Sequence, residues 1–297
     1  MSGVRGVLRE NEPMARHTSW RVGGPAELFF QPADADDLCE FLAALPAQTP
    51  VCWIGLGSNL LVRDGGIAGV VIHTQRALGE LDLDADSGDV HAGAGVACAQ
   101  LARRCGRGGL VGAGFFAGIP GTVGGALAMN AGAWGGETWA HVTAVETVDR
   151  RGGRHRRTPE AYRIDYRSVQ GRADEWFVGA RFRFATGGDP DALASEVKGL
   201  LARRAATQPT GRPSCGSVFR NPPGDHAARL IEVAGLKGLC RGGAMVSDKH
   251  ANFIINTGDA TAADIEWLIG HVQAEVARRH AVELVPEVRI VGQEAAS

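Results

Sequence analysis

None of the six cysteines in this 297-residue chain forms a CxxC pair, and no Cys/His cluster has zinc spacing. That absence excludes the common structural zinc modules. A chain this large does not need a disulfide framework. Cys39, Cys52, Cys98, Cys105, Cys215 and Cys240 are therefore read as reduced thiols, mostly filling cores. No apolar run approaches the length of a membrane span, and the polar N-terminus lacks the apolar centre of a signal peptide. There is little excess charge: the formal net charge is −2, which gives no general attraction to nucleic acid or an anionic membrane. No internal repeat or low-complexity segment is visible. These absences point to a cytoplasmic protein with no metal, nucleic-acid or membrane partner, expected to be a monomer. Its 44% apolar and 22% charged residues are ordinary for a globular chain, long enough for roughly two or three domains.

Glycine is abundant, at 42 residues. Two stretches stand out. The first runs Gly114-Phe115-Phe116-Ala117-Gly118-Ile119-Pro120-Gly121-Thr122-Val123-Gly124-Gly125-Ala126-Leu127-Ala128-Met129-Asn130-Ala131-Gly132-Ala133. It has almost no charge, and glycine at such density means close backbone approach or positive φ. Thr122 suits an N-cap for a short buried helix, whose free N–H groups and dipole would form an anion site. A plain glycine-rich turn between core elements is an equal reading on composition alone. The second stretch, Gly55-Leu56-Gly57-Ser58-Asn59-Leu60-Leu61-Val62, follows the strand-like Val51–Ile54. It offers backbone N–H groups and two short polar side chains, a natural nest for phosphate oxygens. It is not the nicotinamide-dinucleotide fingerprint, since Leu60 stands where the third glycine would be. Each loop alone is weak evidence. Together they suggest a cofactor with a long pyrophosphate arm.

The pair GxGSNLLV and GIPGTVGGALxMNAGA resembles the flavin-binding half of the UDP-N-acetylenolpyruvoylglucosamine reductase family. Later motifs extend the likeness over nearly the whole chain, in family order: Tyr166-Arg167-x-Val169, Ser214-Cys215-Gly216-Ser217-Val218-Phe219-Arg220-Asn221-Pro222, Ser247 to Asn256, and Pro286-Glu287-Val288-Arg289. The resemblance implies an α+β fold. A two-part FAD-binding domain of the vanillyl-alcohol-oxidase/PCMH type would span 14–187, and a C-terminal α/β substrate-binding domain 188–297. The last strand, about 284–292, would return to the active-site cleft. Residues 1–13 are expected to be a mobile tail, and Gly187–Pro190 the domain boundary.

Local patterns supply the elements. Ala33–Leu45 and Val96–Arg104 read as amphipathic helices, as does Pro190–Ala206 with Leu193, Val197, Leu200 and Leu201 on one side. Thr261–His280 is the clearest helix: Thr261 caps, Asp264 sits at N3, and Ile265, Leu268, Ile269, Val272 and Val276 form the stripe. Trp176–Ala185 alternates as a strand. The basic run Arg150–Arg157 lacks interleaved aromatics, so it is read as the solvated face of a hairpin.

The resemblance also implies the chemistry. The cofactor is non-covalent FAD, the co-substrate NADPH and the substrate UDP-N-acetylglucosamine enolpyruvate, in peptidoglycan precursor synthesis. The expected cofactor-binding residues are Gly55, Gly57, Ser58, Asn59, Gly118, Ile119, Pro120, Gly121, Thr122, Gly124, Gly125 and Asn130. Reducing the enolpyruvyl double bond places negative charge at C2, which needs a fixed cation. Arg167 suits this, because a guanidinium is always charged and grips a carboxylate at two points. Glu287 would help place the enol-like intermediate, and Ser217 would protonate C2. Tyr166, Arg167 and Asn221 are the expected substrate-binding residues. Singly, each has a bland alternative: a salt-bridge arginine, a turn serine, a strand-opening glutamate. Cys215 has no paired base and is read as structural. Only fifty residues separate Arg167 from Ser217, so the chain looks like the shorter subtype without the extra substrate lid. Arg212, Arg220 and Lys237 are unranked candidates for the diphosphate, and His250 for a substrate contact. The rivals are an FAD-dependent alcohol oxidase of the wider superfamily and a catalytically silent FAD- or UDP-sugar-binding protein.

Overall fold

A computed structural model describes residues 4–295 and has mixed α+β content. Its contacts divide the chain into two units. The first takes the residues up to Arg9, Phe29–Leu56 and Val70–Arg203. The second takes Glu10–Leu28, Gly57–Gly69 and the residues from Arg204 onward. The expected boundary at Gly187–Pro190 is therefore not where contacts separate, and two N-terminal pieces belong with the C-terminal residues.

The expected tail over 1–13 is corrected where it is described: Val7–Pro13 is a strand, and 1–3 lie outside the described residues. It lies at the edge of a four-stranded sheet, ordered Val7–Pro13, Pro25–Gln31, Ile67–His73, Val51–Ile54. Most of its side chains are exposed. An edge strand with solvated faces carries polar residues and so reads as a tail.

In the first unit, helix α1 (Ala35–Ala44) is capped by Asp34, whose carboxylate accepts from the N–H groups of Asp36 and Asp37. An antiparallel five-stranded sheet runs in the order Arg154–Arg157, Val142–Asp149, Glu175–Arg183, Asp89–Gly93, Leu81–Leu83. Helices α2 (Cys98–Arg107) and α3 (Val123–Met129) contribute to its core. Phe116, fully buried, meets Phe182 edge-on at 5.7 Å. Burial pushes the thiols of Cys98 and Cys105 up to about 12, so both stay protonated and pack as small apolar groups. The basic run is tied down by ion pairs: Arg154 pairs with Asp36, and Arg157 with Glu175. Helix α4 (Pro190–Thr207) has no buried residue, and Leu201 is 42% exposed. Its expected apolar stripe is thus only partly used, by Val197 against the first core.

The second unit has its own core. After helix α5 (Ala227–Val233), the strands Cys240–Arg241, Ala244–Val246 and Ile254–Asn256 form an antiparallel sheet. Helix α6 (Ala262–His280) buries all five residues of its expected stripe, each contributing about 1.5–3 kcal/mol of apolar transfer before entropy is subtracted. Thr261 and Asp264 form the reciprocal capping box. The two carboxylate oxygens of Asp64 accept from the N–H groups of Ala262 and Ala263 at 2.9 and 3.0 Å. The α6 N-terminus is thus neutralised by a residue 198 positions away. Arg63 holds Glu266 one turn further on, at 2.7 Å. These bonds tie the segment after the first glycine loop to the C-terminal residues.

Candidate active site

Parts of the two glycine motifs meet within the first unit. A Cβ added to Gly55 would collide with Thr122 Oγ1, and one on Gly125 would lie 4.0 Å from it. That hydroxyl is buried and has no hydrogen-bond partner. Thr122 has the extended backbone of an N-cap, yet its side chain makes no capping bond. An orphaned hydroxyl beside two side-chain-free residues is an arrangement that fits a polar group of a cofactor passing over bare backbone.

The expected anion site at the start of α3 needs correction. The N–H of Val123 donates to Val96 O and that of Gly124 to Ala94 O, both at 2.9 Å. Two of the N–H groups read as free are therefore spent inside the fold. Gly124 owes its lack of a side chain to Ala94, whose Cβ would sit 2.9 Å from an added one. Gly118 likewise makes room for Ala133 and Trp134. Ile119 is buried, Pro120 exposed, and Gly121 accepts from Cys98 N–H.

Asn130 ends α3 in the left-handed conformation, φ 43°. Its side chain is fully committed. Nδ2 donates to Glu137 Oε2 at 3.0 Å and to Asp165 O at 3.3 Å, and Oδ1 accepts from Trp139 N–H. Asp165 precedes the turn of the hairpin Arg163–Asp165/Ser168–Gln170, which presents Tyr166 and Arg167. Arg167 has φ 55°, donates from Nη2 to Gly132 O at 3.0 Å, and lies 5.6 Å from the Tyr166 ring centroid. Tyr166 is 52% exposed.

The rest of the first glycine loop belongs to the second unit. Gly57 has φ 66°, and a Cβ there would run into His17 O, so only glycine fits. Ser19 N–H donates to Gly57 O, and Ser19 Oγ to Ser58 O. Asn59 points away from a simple nest role: Nδ2 donates to Glu287 O at 3.0 Å.

Glu287 and the serine loop are joined by backbone. Glu287 N–H donates to Val218 O at 2.7 Å, and Arg220 N–H to Val285 O at 2.9 Å. Phe219 and Pro286 form an antiparallel bridge. Ser217 is thereby brought beside Glu287, preceded by the left-handed Gly216 at φ 87°. Cys215 is buried; burial, with the Glu287 carboxylate second, pushes its thiol well above the usual range, so it is no nucleophile at neutral pH. Asn221 Oδ1 accepts from Ala227 N–H at the start of α5. Lys237 pairs with Glu232 at 2.8 Å, while Arg212 is exposed. His250 keeps its Nδ1 buried without a partner, and desolvation holds the imidazole below its ordinary pKa.

Comparison with known proteins decides the family. The C-terminal-domain model of UDP-N-acetylenolpyruvoylglucosamine reductase matches residues 208–291, and an FAD-binding-domain model matches 26–158. A UDP-N-acetylenolpyruvoylglucosamine reductase of Alkalilimnicola ehrlichii is 64% identical, covering 97% of this chain and 96% of its own. One of Methylococcus capsulatus is 60% identical, covering 97% and 94%. The chain belongs to the UDP-N-acetylenolpyruvoylglucosamine reductase family. The crystal structure of the reductase of this name from Thermus caldophilus is 33% identical, with a TM-score of 0.82 over 96% of this chain and 98% of that one.

Within this reductase family assignment, the structure adds what motif reading missed. Asn59 and Asn130 are nearest-neighbour supports of Glu287 and of the Arg167 turn, respectively. An asparagine at the end of a glycine loop was a visible signal, but its partner was not. Asp64 and Arg63, which follow the first glycine loop, carried no recognisable motif at all.

Proposed function

We infer that the chain is an FAD-dependent reductase that uses NADPH to convert the enolpyruvyl ether of UDP-N-acetylglucosamine enolpyruvate into UDP-N-acetylmuramate, a step of peptidoglycan precursor synthesis. The observation that carries this reading is identity of 64% over 97% of the chain with a reductase of that name. The Gly55–Thr122–Gly125 cluster is the backbone proposed to hold the cofactor. Bound FAD, once reduced by NADPH, supplies the hydride that no side chain can provide.

The protein's own groups handle charge and proton. As the double bond is reduced at its terminal carbon, negative charge grows at C2 and spreads into the adjacent carboxylate. Arg167 stabilises it, its guanidinium oriented by Gly132 O rather than left to sample rotamers. The family resemblance gives Glu287 the task of helping to place the enol-like intermediate. Ser217 passes its hydroxyl proton to C2; a hydroxyl is a weak acid, but an enolate carbon is a strong enough base to take it. With no separate nicotinamide-binding motif in the sequence, NADPH and substrate would share one cleft and react in turn. The enzyme is proposed to work as a cytoplasmic monomer; no helix of the described residues is long and apolar enough to cross a membrane.

Anaerobic titration tests the reading. Yellow enzyme should bleach with NADPH and regain colour with the enolpyruvyl sugar. Bleaching without return would remove the substrate assignment. Ser217→Ala should leave bleaching nearly intact and greatly slow the return; equal loss of both would remove the role given to Ser217. Intersecting rather than parallel steady-state lines would sink the shared-cleft scheme.

A further inference from the structure

Glu287 follows a proline, so the residue before it has no N–H to anchor the segment. Before it, the segment pairs with the serine loop through the Phe219–Pro286 bridge; its parallel ladder begins only beyond it. Arg289 N–H donates to Asn59 O at 3.1 Å, and Arg289–Val291 then pairs in parallel with Leu60–Val62. At Glu287 itself, the N–H reaches Val218 O and the carbonyl receives Asn59 Nδ2. Every one of these bonds except the last is backbone to backbone, and so independent of residue type. On the Leu60–Val62 side, the amide of Asn59 carries the restraint two residues past the ladder, to the carboxylate-bearing position, whose N–H is held by Val218 O.

We propose that Asn59 is a positioning residue for Glu287, and that its amide is kept in the first glycine loop for that bond rather than for a phosphate. This rests on the reading of Glu287 as an active-site carboxylate. Few side chains can take its place. Leucine has no donor. Aspartate at neutral pH would set a carboxylate against a carbonyl, repelling the strand that carries Glu287. Protonated aspartate, by contrast, has a donor hydroxyl of nearly the same reach. A misplacement of about 1 Å at a reacting group costs on the order of 10²-fold in rate. That loss should fall on the half-reaction in which Glu287 takes part.

The test uses the FAD-bound enzyme and its Asn59→Leu, Asn59→Asp and Glu287→Gln variants. FAD affinity is read by fluorescence, and the two half-reactions by stopped flow. For Asn59→Leu we expect FAD affinity and bleaching by NADPH nearly unchanged, with return of colour on substrate slowed about 10²-fold. Asn59→Asp should be as slow in alkaline buffer, then recover relative to wild type as pH falls and the new carboxyl protonates. Asn59→Leu should show no such recovery. Combining Asn59→Leu with Glu287→Gln should add little to the loss caused by Glu287→Gln alone. Weakened FAD binding with a normal substrate half-reaction would overturn the proposal in favour of a phosphate contact. So would equal slowing of both half-reactions, or additive losses in the double variant. If Glu287→Gln itself reoxidises normally, it is the reading of Glu287 that fails; normal Asn59 variants beside a slow Glu287→Gln would sink this proposal alone.

Discussion

Arg167 and Glu287, one in each unit, are held by opposite kinds of restraint. Arg167 sits on a hairpin turn with a left-handed backbone, and its guanidinium is aimed by a bond to Gly132 O. Glu287 has its backbone N–H and C=O both tied, to Val218 and Asn59. The first device fixes where a side chain points and accepts backbone strain to do so. The second fixes where a backbone lies. A cation that must grip a planar carboxylate gains from fixed direction. A carboxylate at a strand end gains from fixed position. Each device ends in an asparagine at the edge of a glycine loop.

The comparison breaks most visibly at Arg167. Replacing it with glycine relieves left-handed strain worth about 1 kcal/mol and removes the cation. Arg167→Gly should therefore unfold no more easily than wild type, while return of flavin colour with substrate slows by roughly 10³-fold. Rapid-reaction absorbance alongside a urea titration measures both. Clear destabilisation would mean the turn depends on the guanidinium bond more than on its backbone.

Asn130 should show the next largest effect, on stability. Alanine there strands Trp139 N–H, Asp165 O and the Glu137 carboxylate in a site where Asn130 is 3% exposed, and it also dislikes φ 43°. A loss of about 3–4 kcal/mol is expected for Asn130→Ala. Asn130→Gly should recover about 1 kcal/mol of it, the conformational part. Equal losses in denaturant titrations would show that the backbone conformation carries no strain.

A smaller effect tests the second unit. Asp64→Ala leaves two N–H groups of α6 without their carboxylate, and should cost about 1–2 kcal/mol in thermal or urea unfolding. No change would mean water replaces the carboxylate without loss.

The smallest effect depends on pH. Arg157, then Thr147, hold the Glu175 carboxyl below its ordinary value of 4.5. A depressed folded value means the unfolded chain binds the proton more readily. The stabilisation is full above the ordinary value and is lost as pH falls through the lowered one. Wild type should thus exceed Glu175→Gln in melting temperature at neutral pH, with the gap closing in acid. A gap that persists in strong acid would assign the effect to packing.

Legibility followed the range of the interactions. The α6 capping box and stripe were readable because each partner lies within a few positions of the other. The strand Val7–Pro13 reads as a tail because four of its seven residues are polar and only its partner, Pro25–Gln31, makes it a strand. The α3 start looked like an anion site because sequence shows which N–H groups a helix leaves over. It does not show that Val96 and Ala94 will use two of them.

By itself the sequence determined the family, the two glycine loops and the order of the motifs, since all of these are properties of short runs of residues. Only the tertiary structure decided what the polar groups in those runs do. Asn59 meets a carbonyl 228 positions away and Asn130 one 35 positions away. An amide can donate to any acceptor within about 3 Å, so its role follows from which backbone the fold delivers there.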